Sequence, residues 1–172
     1  MLFFISMPSA FALDTTVQGG NIYLSQGNSP KVQLPANGKD RSPVLCPDRQ
    51  CVVFIRKSSQ SIDYPAENLD GYSKYELLAD QIWIVDLANK KEQMIVADKV
   101  SDNPRKQIAH VYDDSLKFSP DGKILYFITS ASVTSGAVHA VKVDGSNEHF
   151  IDGGNSIEVI PKGQYKGDYQ SA

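Results

Sequence analysis

LKFSPDGKILYFI, residues 116–128, predicts two β-strands joined by a tight turn. Pro120 presets φ at the first central position of the turn, Asp121 suits the second, and Gly122 supplies the positive φ through which the chain enters the next strand. The stretch is therefore predicted to be a β-hairpin. A related stretch at 47–55, PDRQCVVFI, repeats the turn and the second strand 73 residues earlier. Repetition of a hairpin within one chain points to a propeller or a solenoid.

A second hairpin follows each copy of the first, so each repeat unit contains four strands. Further segments predict the second half of an earlier unit and the first strand of a later one. The predicted strands outside the two copies are 21–25, 31–34, 82–87, 93–96, 138–143, 149–151 and 156–160. The expected fold is all-β and β-propeller-like, with about two complete four-stranded blades plus partial blades at both ends. The propeller-like β domain is expected to span 13–160, and 161–172 to be a tail or the start of a missing blade.

The repeat resembles that of the TolB-like β-propellers, whose usual form is an aromatic-Ser-Pro-Asp-Gly-Lys turn, a hydrophobic strand, and an Ile-Tyr or Ile-Trp strand ending in Asp. Residues 118–127 match the turn and strand, and 82–87, IWIVDL, match the later strand. Arg49 replaces the expected Gly, and His139 with Ala140 replaces the expected aromatic position. The resemblance implies a propeller fold. It also implies kinship with export-linked binding proteins or with the propeller domains of prolyl-oligopeptidase-type peptidases.

Composition agrees with one soluble domain. Of 172 residues, 41% are hydrophobic and 22% charged, which is ordinary for a globular protein. The formal charge is −3 and the Lys and Arg residues are scattered, so no nucleic acid partner is expected. There is no Gly-x-Ser-x-Gly elbow and no phosphate-binding Gly-rich loop. We therefore expect a protein that is not an enzyme, with no catalytic residues and no cofactor.

Residues 1–12 differ from the rest of the chain. LFFISM at 2–7 is apolar, and Ala10-Phe11-Ala12 has the small-x-small pattern that precedes a signal-peptidase cut, here before Leu13. No Lys or Arg stands in the first residues, so we expect a truncated signal peptide, with a core strand or a disordered end as the alternative. No other segment approaches the ~20 apolar residues that span a bilayer. The predicted location is periplasmic or secreted.

Cys46 and Cys51 flank the turn of the first repeat. A four-residue loop would place them opposite each other, at a spacing that suits a disulfide, whereas a three-residue loop with a bulge would place Cys46 opposite Gln50 and forbid the bond. Arg49 would have to adopt the left-handed conformation of Gly122 in a loop of the same kind, which favours a different loop and hence the disulfide. Two unpaired thiols remain the alternative. No metal site is expected, because two thiols with no nearby His leave a tetrahedron incomplete.

Two segments are candidates for binding. The first is 57–81, which separates two strands of one unit and is much longer than its counterpart in the other unit. Its aromatic and acidic residues suit contact with a protein or peptide, although the tyrosines could instead fold back on the blade. The binding residues expected there are Asp63, Tyr64, Tyr72 and Tyr75.

The second candidate is the connection that leads into the first strand of the second copy. It carries His110, Tyr112, Asp113 and Asp114, and such connections lie at the channel mouth of a propeller, where ligands bind. A hydrogen bond from His110 to the neighbouring blade is the competing expectation. His139 and His149 are expected to pack across one hairpin.

The predicted function is that of a non-catalytic, exported binding or protein-interaction module. The alternatives are the propeller portion of a prolyl-oligopeptidase-type hydrolase whose catalytic domain is absent, and a gene remnant without independent activity. A partial propeller is also expected to expose Val, Ile and Tyr on the outer faces of its terminal units, and to form a homo-oligomer through open blade edges.

Overall fold

The computed structural model describes residues 12–34, 37–63, 76–101, 103–131, 135–160 and 169–171. These residues form thirteen β-strands and one 3₁₀ turn, Pro104–Lys106. Within them, no helix is long and apolar enough to cross a membrane. The strands are β1 (Leu13–Gln18), β2 (Asn21–Gln26), β3 (Val32–Gln33), β4 (Asp40–Leu45), β5 (Cys51–Asp63), β6 (Glu76–Asp86), β7 (Glu92–Val96), β8 (Lys117–Phe118), β9 (Ile124–Ser130), β10 (Gly136–Lys142), β11 (His149–Gly153), β12 (Ile157–Val159) and β13 (Tyr169–Ser171).

The strands form four antiparallel sheets in chain order. Strands β4 to β7 make one four-stranded sheet and β8 to β11 make another, each with its strands in sequence order. A three-stranded sheet, β1 to β3, precedes them, and a two-stranded sheet, β12 and β13, follows. The predicted fold class, two complete four-stranded blades plus partial blades at both ends, is confirmed. Leu13, the residue after the predicted signal segment, is the first strand residue, and residues 1–11 lie outside the described part.

Apolar side chains fill the three spaces between successive sheets. On β5, Val53 and Ile55 face the following blade, where they pack with Phe127 and Leu125. The alternate residue Phe54 faces the three-stranded sheet. Tyr126 and Ile128 of β9 pack with Ile157 of β12 in the third space. Because side chains alternate along β5 and β9, each of these central strands contributes side chains to the two cores on either side of its sheet.

The two turns that define the repeat have the same backbone. Gly122 has a φ of 71°, and its N–H donates to the carbonyl oxygen of Ser119 at 2.8 Å. The N–H of Arg49 donates in the same way to Cys46 O, also at 2.8 Å, and Arg49 has a φ of 61°. The expectation that Arg49 avoids the left-handed conformation is therefore wrong. In both copies the third residue of the four-residue loop is left-handed, which directs the chain from the closed turn into the next strand whether the residue is Arg or Gly.

The disulfide between Cys46 and Cys51 is present, as predicted. The N–H of Cys46 donates to Cys51 O at 2.9 Å, so the two residues lie opposite each other, and their Cα atoms are 5.2 Å apart. Among the described residues, one group of thiol and acidic side chains lies close enough together to share a metal ion, namely Cys46, Asp48 and Cys51. Both sulfurs of that group are bonded to each other.

The outer face of the three-stranded sheet carries the half-buried Tyr23 among polar side chains, and two valines of the same sheet, Val17 and Val32, are 43% and 51% exposed. The expected exposure of Val, Ile and Tyr on the terminal units stays a prediction. Ile22 and Leu24 point inward, so Tyr23 and its cross-strand partners Thr16 and Gln33 point outward. The hydroxyl of Tyr23 donates to Gln33 Oε1 at 3.3 Å, and Lys31 Nζ donates to Thr16 Oγ1 at 3.3 Å.

Candidate functional site

The insertion face is the face of the blades at which β5 and β9 end and β6 and β10 begin. On it, the β5–β6 hairpin continues beyond its blade: after a bulge between Lys57 and Ser61, the strands pair again as far as Asp63 opposite Glu76. Much of the segment 57–81, expected to be a loop, is therefore strand. Asp63 ends β5, and the predicted binding residues Tyr64, Tyr72 and Tyr75 lie outside the described residues. The opposite face, called the turn face, carries the Cys46–Cys51 turn.

A buried carboxylate, Asp80 of β6, lies at the base of this hairpin with none of its side chain exposed. Arg41 donates to it twice, from Nη1 to Oδ1 and from Nη2 to Oδ2, both at 2.8 Å. Lys57 Nζ lies 2.9 Å from Oδ1, and the backbone N–H of Val111 donates to Oδ2 at 2.9 Å. His110 Nδ1 is 3.1 Å from Oδ2 and, because an ionised carboxylate only accepts, it carries the shared proton.

These contacts join two blades. Arg41, Lys57 and Asp80 belong to the first complete blade, whereas His110 and Val111 lead into the second. The N–H of Asp80 donates to Ala109 O at 2.9 Å, and Arg41 Nη2 donates to Val111 O at 2.9 Å. The Asp80 cluster, defined as Arg41, Lys57, Asp80, His110 and Asp113, therefore fixes the position of the connecting segment on the insertion face.

Asp113 forms the exposed end of the cluster. Its Oδ1 accepts from Arg41 Nε at 2.8 Å and from the hydroxyl of Ser42 at 2.7 Å, while 63% of its side chain remains exposed. Ser42 has a φ of 50° and Asp114 a φ of 61°, both unusual for residues other than glycine. A bulge between Arg41 and Val44 accompanies this backbone. Bulges of this kind redirect side chains next to functional sites, and here the bulge turns Arg41 toward both carboxylates.

The charges of the cluster are held by its geometry. Burial alone raises the pKa of Asp80, but hydrogen bonds from His110, Arg41 and Lys57 outweigh it and hold that pKa well below its usual range. Burial also raises the pKa of Asp113, but the hydrogen bond from Ser42 and the charge of Arg41 outweigh it, so this pKa is lowered as well. Both carboxylates are ionised at neutral pH.

The structure brings together three of the four predicted residues of the connection. His110 and Asp113 join the cluster, and the ring of Tyr112 lies 6.0 Å from that of His110, while Asp114 is exposed. The expectation that His110 bonds to the neighbouring blade is confirmed. His139 is buried and stacks on Phe127 with ring centroids 5.3 Å apart, and His149 is exposed.

Sequence reasoning missed the centre of the cluster, namely Arg41, Lys57 and Asp80. The available signal was the acidic residue in ELLADQIWIVD, because an Asp within a hydrophobic strand needs a cationic partner when it is buried. The cationic partners, Arg41 and Lys57, lie 39 and 23 residues before Asp80 in the chain, so the sequence pattern could not identify them.

Both carboxylate oxygens of Asp80 already accept hydrogen bonds, so this side chain holds its neighbours in position. The most exposed groups of the cluster are Asp113 at 63% and His110 at 43%, while Lys57 is 33% exposed. An imidazole and a carboxylate presented on fixed backbone next to a projecting hairpin can exchange hydrogen bonds with a polar partner.

Comparison with known proteins bears on the fold. No protein-family model and no curated protein matches the chain. The structure of TolB from Acinetobacter baumannii superposes with a TM-score of 0.53 at 14% identity, over 88% of this chain and 33% of that one. A dipeptidyl aminopeptidase IV-like protein from Bacteroides ovatus gives a TM-score of 0.48 at 14% identity, over 90% of this chain and 27% of that one. The chain thus spans about a third of the TolB structure, and the likeness is one of propeller fold.

Proposed function

We propose that this chain is a non-catalytic binding module that engages a protein or peptide partner through its insertion face. The observation that carries the proposal is the Asp80 cluster, which presents His110 and Asp113 on a rigid connection beside the extended β5–β6 hairpin. The Ser42 and Asp114 backbone supports it, because uncommon conformations are retained where the surroundings and a function require them.

We further propose that the module acts outside the cytoplasm, in the periplasm or as a secreted protein. The apolar segment 2–7 followed by Ala10-Phe11-Ala12 supports this, and so does the Cys46–Cys51 disulfide, since disulfides persist mainly in oxidising compartments. N-terminal sequencing of the protein recovered from cells of its source should give Leu13 as the first residue. A protein that keeps Met1 and stays in the cytoplasm would contradict export.

Photo-crosslinking tests the proposed binding face. A benzoylphenylalanine placed at Gln60, exposed on the extended part of β5, should yield a discrete adduct in cells of the source organism. The same group at Asn89, exposed on the turn face, serves as the matched control and should yield none. An adduct from position 89 alone, or from neither position in folded protein, would overturn the proposal.

A hairpin deletion sharpens the test. Because Asp63 and Glu76 are direct partners across β5 and β6, residues 64–75 can be replaced by Asn-Gly, which closes a two-residue hairpin. We expect the variant to keep its strand content and its Cys46–Cys51 bond while the adduct from position 60 is lost. A full adduct yield from the shortened, folded variant would show that the hairpin tip is not used.

A further inference from the structure

A cavity of about 450 Å³ opens on the insertion face next to the Asp80 cluster. It lies where β10 begins and β11 ends, and Ala131 lines it one residue after Ser130, whose N–H donates to His110 O at 2.9 Å. Its other lining residues are Arg105, Ser135, Gly136, Gly153, Gly154 and Asn155. Among the described residues that line it, Arg105 carries the one charged side chain; Asp152 precedes the lining residue Gly153 in β11 and is not itself part of the lining.

Arg105 differs from the arginines of the blade core. Arg41 is held by Asp80 and Asp113, and Arg56 donates to Asp40 and to Glu92. Arg105, in contrast, forms no ion pair with any residue that the structure describes, and its guanidinium carbon lies 5.7 Å from the ring centroid of Phe150. The ring holds one face of the guanidinium and leaves its five N–H donors without a described carboxylate partner.

The far wall of the cavity is main chain. A Cβ added at Gly136 would lie 2.5 Å from both Gly154 O and Ile128 Cγ2, so glycine is required there. The N–H of Gly136 donates to Asn155 Oδ1 at 2.8 Å, and the N–H of Gly154 donates to Gly136 O at 3.1 Å. These bonds fix the backbone of Gly136 and Gly154 where it lines the cavity.

We propose that this cavity binds a carboxylate group of the partner peptide, with Arg105 as its principal ligand. A planar guanidinium with two parallel N–H donors matches a carboxylate in a bidentate arrangement, and the described lining adds no acidic side chain that would compete for that charge. The inference rests on the proposed function, since it names the chemical group by which a partner on the insertion face is recognised.

The test uses the purified full chain and small probes, with no partner present. Acetyl-dialanine with a free carboxylate is titrated against the ¹⁵N-labelled protein while the amide signals of Gly136, Gly153 and Gly154 are followed. The controls are the same dipeptide as its primary amide, and inorganic phosphate. We expect saturable chemical-shift changes with the free acid, and at least tenfold weaker binding of the amide and of phosphate. Because the attraction is between opposite charges, added salt should weaken the binding of the free acid.

Two variants assign the binding to Arg105. Arg105→Gln should weaken binding of the acid at least tenfold, and Arg49→Gln, which removes an exposed arginine on the turn face, should leave it unchanged. Equal binding of acid and amide, preference for phosphate, or equal effects of the two substitutions would each overturn the inference. If the probe fails while the crosslink at position 60 persists, the carboxylate site is wrong and the binding face stands. The reverse pattern contradicts the binding face and leaves the site intact.

Discussion

Arg49 and Gly122 occupy the same position in two copies of one turn, yet only Gly122 reaches its positive φ without steric cost. A left-handed conformation costs a residue with a Cβ about 1–2 kcal/mol. The first copy of the turn thus has a strained residue, Arg49, where the second copy has glycine. The disulfide of the same loop, absent from the second copy, offsets that strain.

Exchanging side chains at these two positions should therefore have opposite effects. We expect Arg49→Gly to raise the free energy of unfolding by up to about 1 kcal/mol, after the greater entropy of glycine in the unfolded chain is subtracted. Gly122→Ala should lower it by about 1–2 kcal/mol, although its Cβ would meet Pro47 at an ordinary 3.5 Å. Urea denaturation measures both, and a loss of stability in Arg49→Gly would contradict the strain argument.

A second prediction at the residue scale concerns Asp80. Asp80→Asn leaves Arg41 and Lys57 without their buried counter-charge and should lower stability by about 3–5 kcal/mol. Asp113→Asn is the matched control, since that side chain is 63% exposed and its pair should contribute no more than about 1 kcal/mol. Equal losses in the two variants would contradict a special role for burial.

The pH dependence of stability follows from the lowered pKa of Asp80. A carboxyl whose pKa is lower in the folded state contributes stability above its unfolded value, 3.8, and that contribution is lost as the pH falls toward the folded pKa. Wild-type stability should therefore decline below about pH 5, and Asp80→Asn should show a shallower decline. Parallel curves for the two proteins would argue against the assignment.

At the scale of elements, the first hairpin is closed by a covalent bond and the second by a side chain. In the second copy, Ser119 Oγ accepts from the N–H of Ile124 at 3.0 Å and donates to Asp121 Oδ1 at 2.7 Å. In the first copy the Cys46–Cys51 bond spans the same place. Both devices hold the ends of a four-residue loop together.

Loss of the disulfide should lower stability by about 2 kcal/mol, the chain-entropy value for so small a ring. The double variant Cys46→Ser, Cys51→Ser is compared with wild type with and without a dithiol reductant. Reductant should destabilise only the wild type, and the untreated wild type should be two hydrogens lighter than its reduced form by intact mass. Alkylation of both thiols without reductant would disprove the bond.

At the scale of the whole molecule, the cores formed by the described residues lie between sheets that follow each other along the chain. The core between the two complete blades contains Val53, Ile55, Leu125 and Phe127, and separate cores flank it on each side. Stability is thus a sum of neighbouring interfaces, as in repeat proteins. Association of copies of this chain through open blade edges stays a prediction at this scale.

Phe127→Ala tests this arrangement. Removing the fully buried ring should lower stability by about 3–5 kcal/mol and make the two blades exchange amide hydrogens at different rates, because their shared core is weakened. Phe127→Leu gives a milder variant if the first fails to fold. Thr16→Ala, on the outer face of the three-stranded sheet, should stay within about 0.5 kcal/mol of wild type. Uniform exchange in both Phe127 variants would contradict the neighbour-by-neighbour account.

The turns and the hairpins could be predicted from the sequence alone, whereas the disulfide was one of two alternatives that the sequence left open. Pro120, Asp121 and Gly122 specify a turn within four residues, because φ preferences act locally. The spacing of Cys46 and Cys51 allowed both a loop that places them opposite each other and one that does not, and Arg49 adopts the left-handed conformation that it was expected to avoid. The Asp80 cluster, in contrast, could be found only in the folded structure. Arg41 reaches Asp80 through a bulge and a strand register set across 39 residues, and His110 reaches it from the next blade. Such contacts depend on how sheets stack, and stacking is a property of the whole chain.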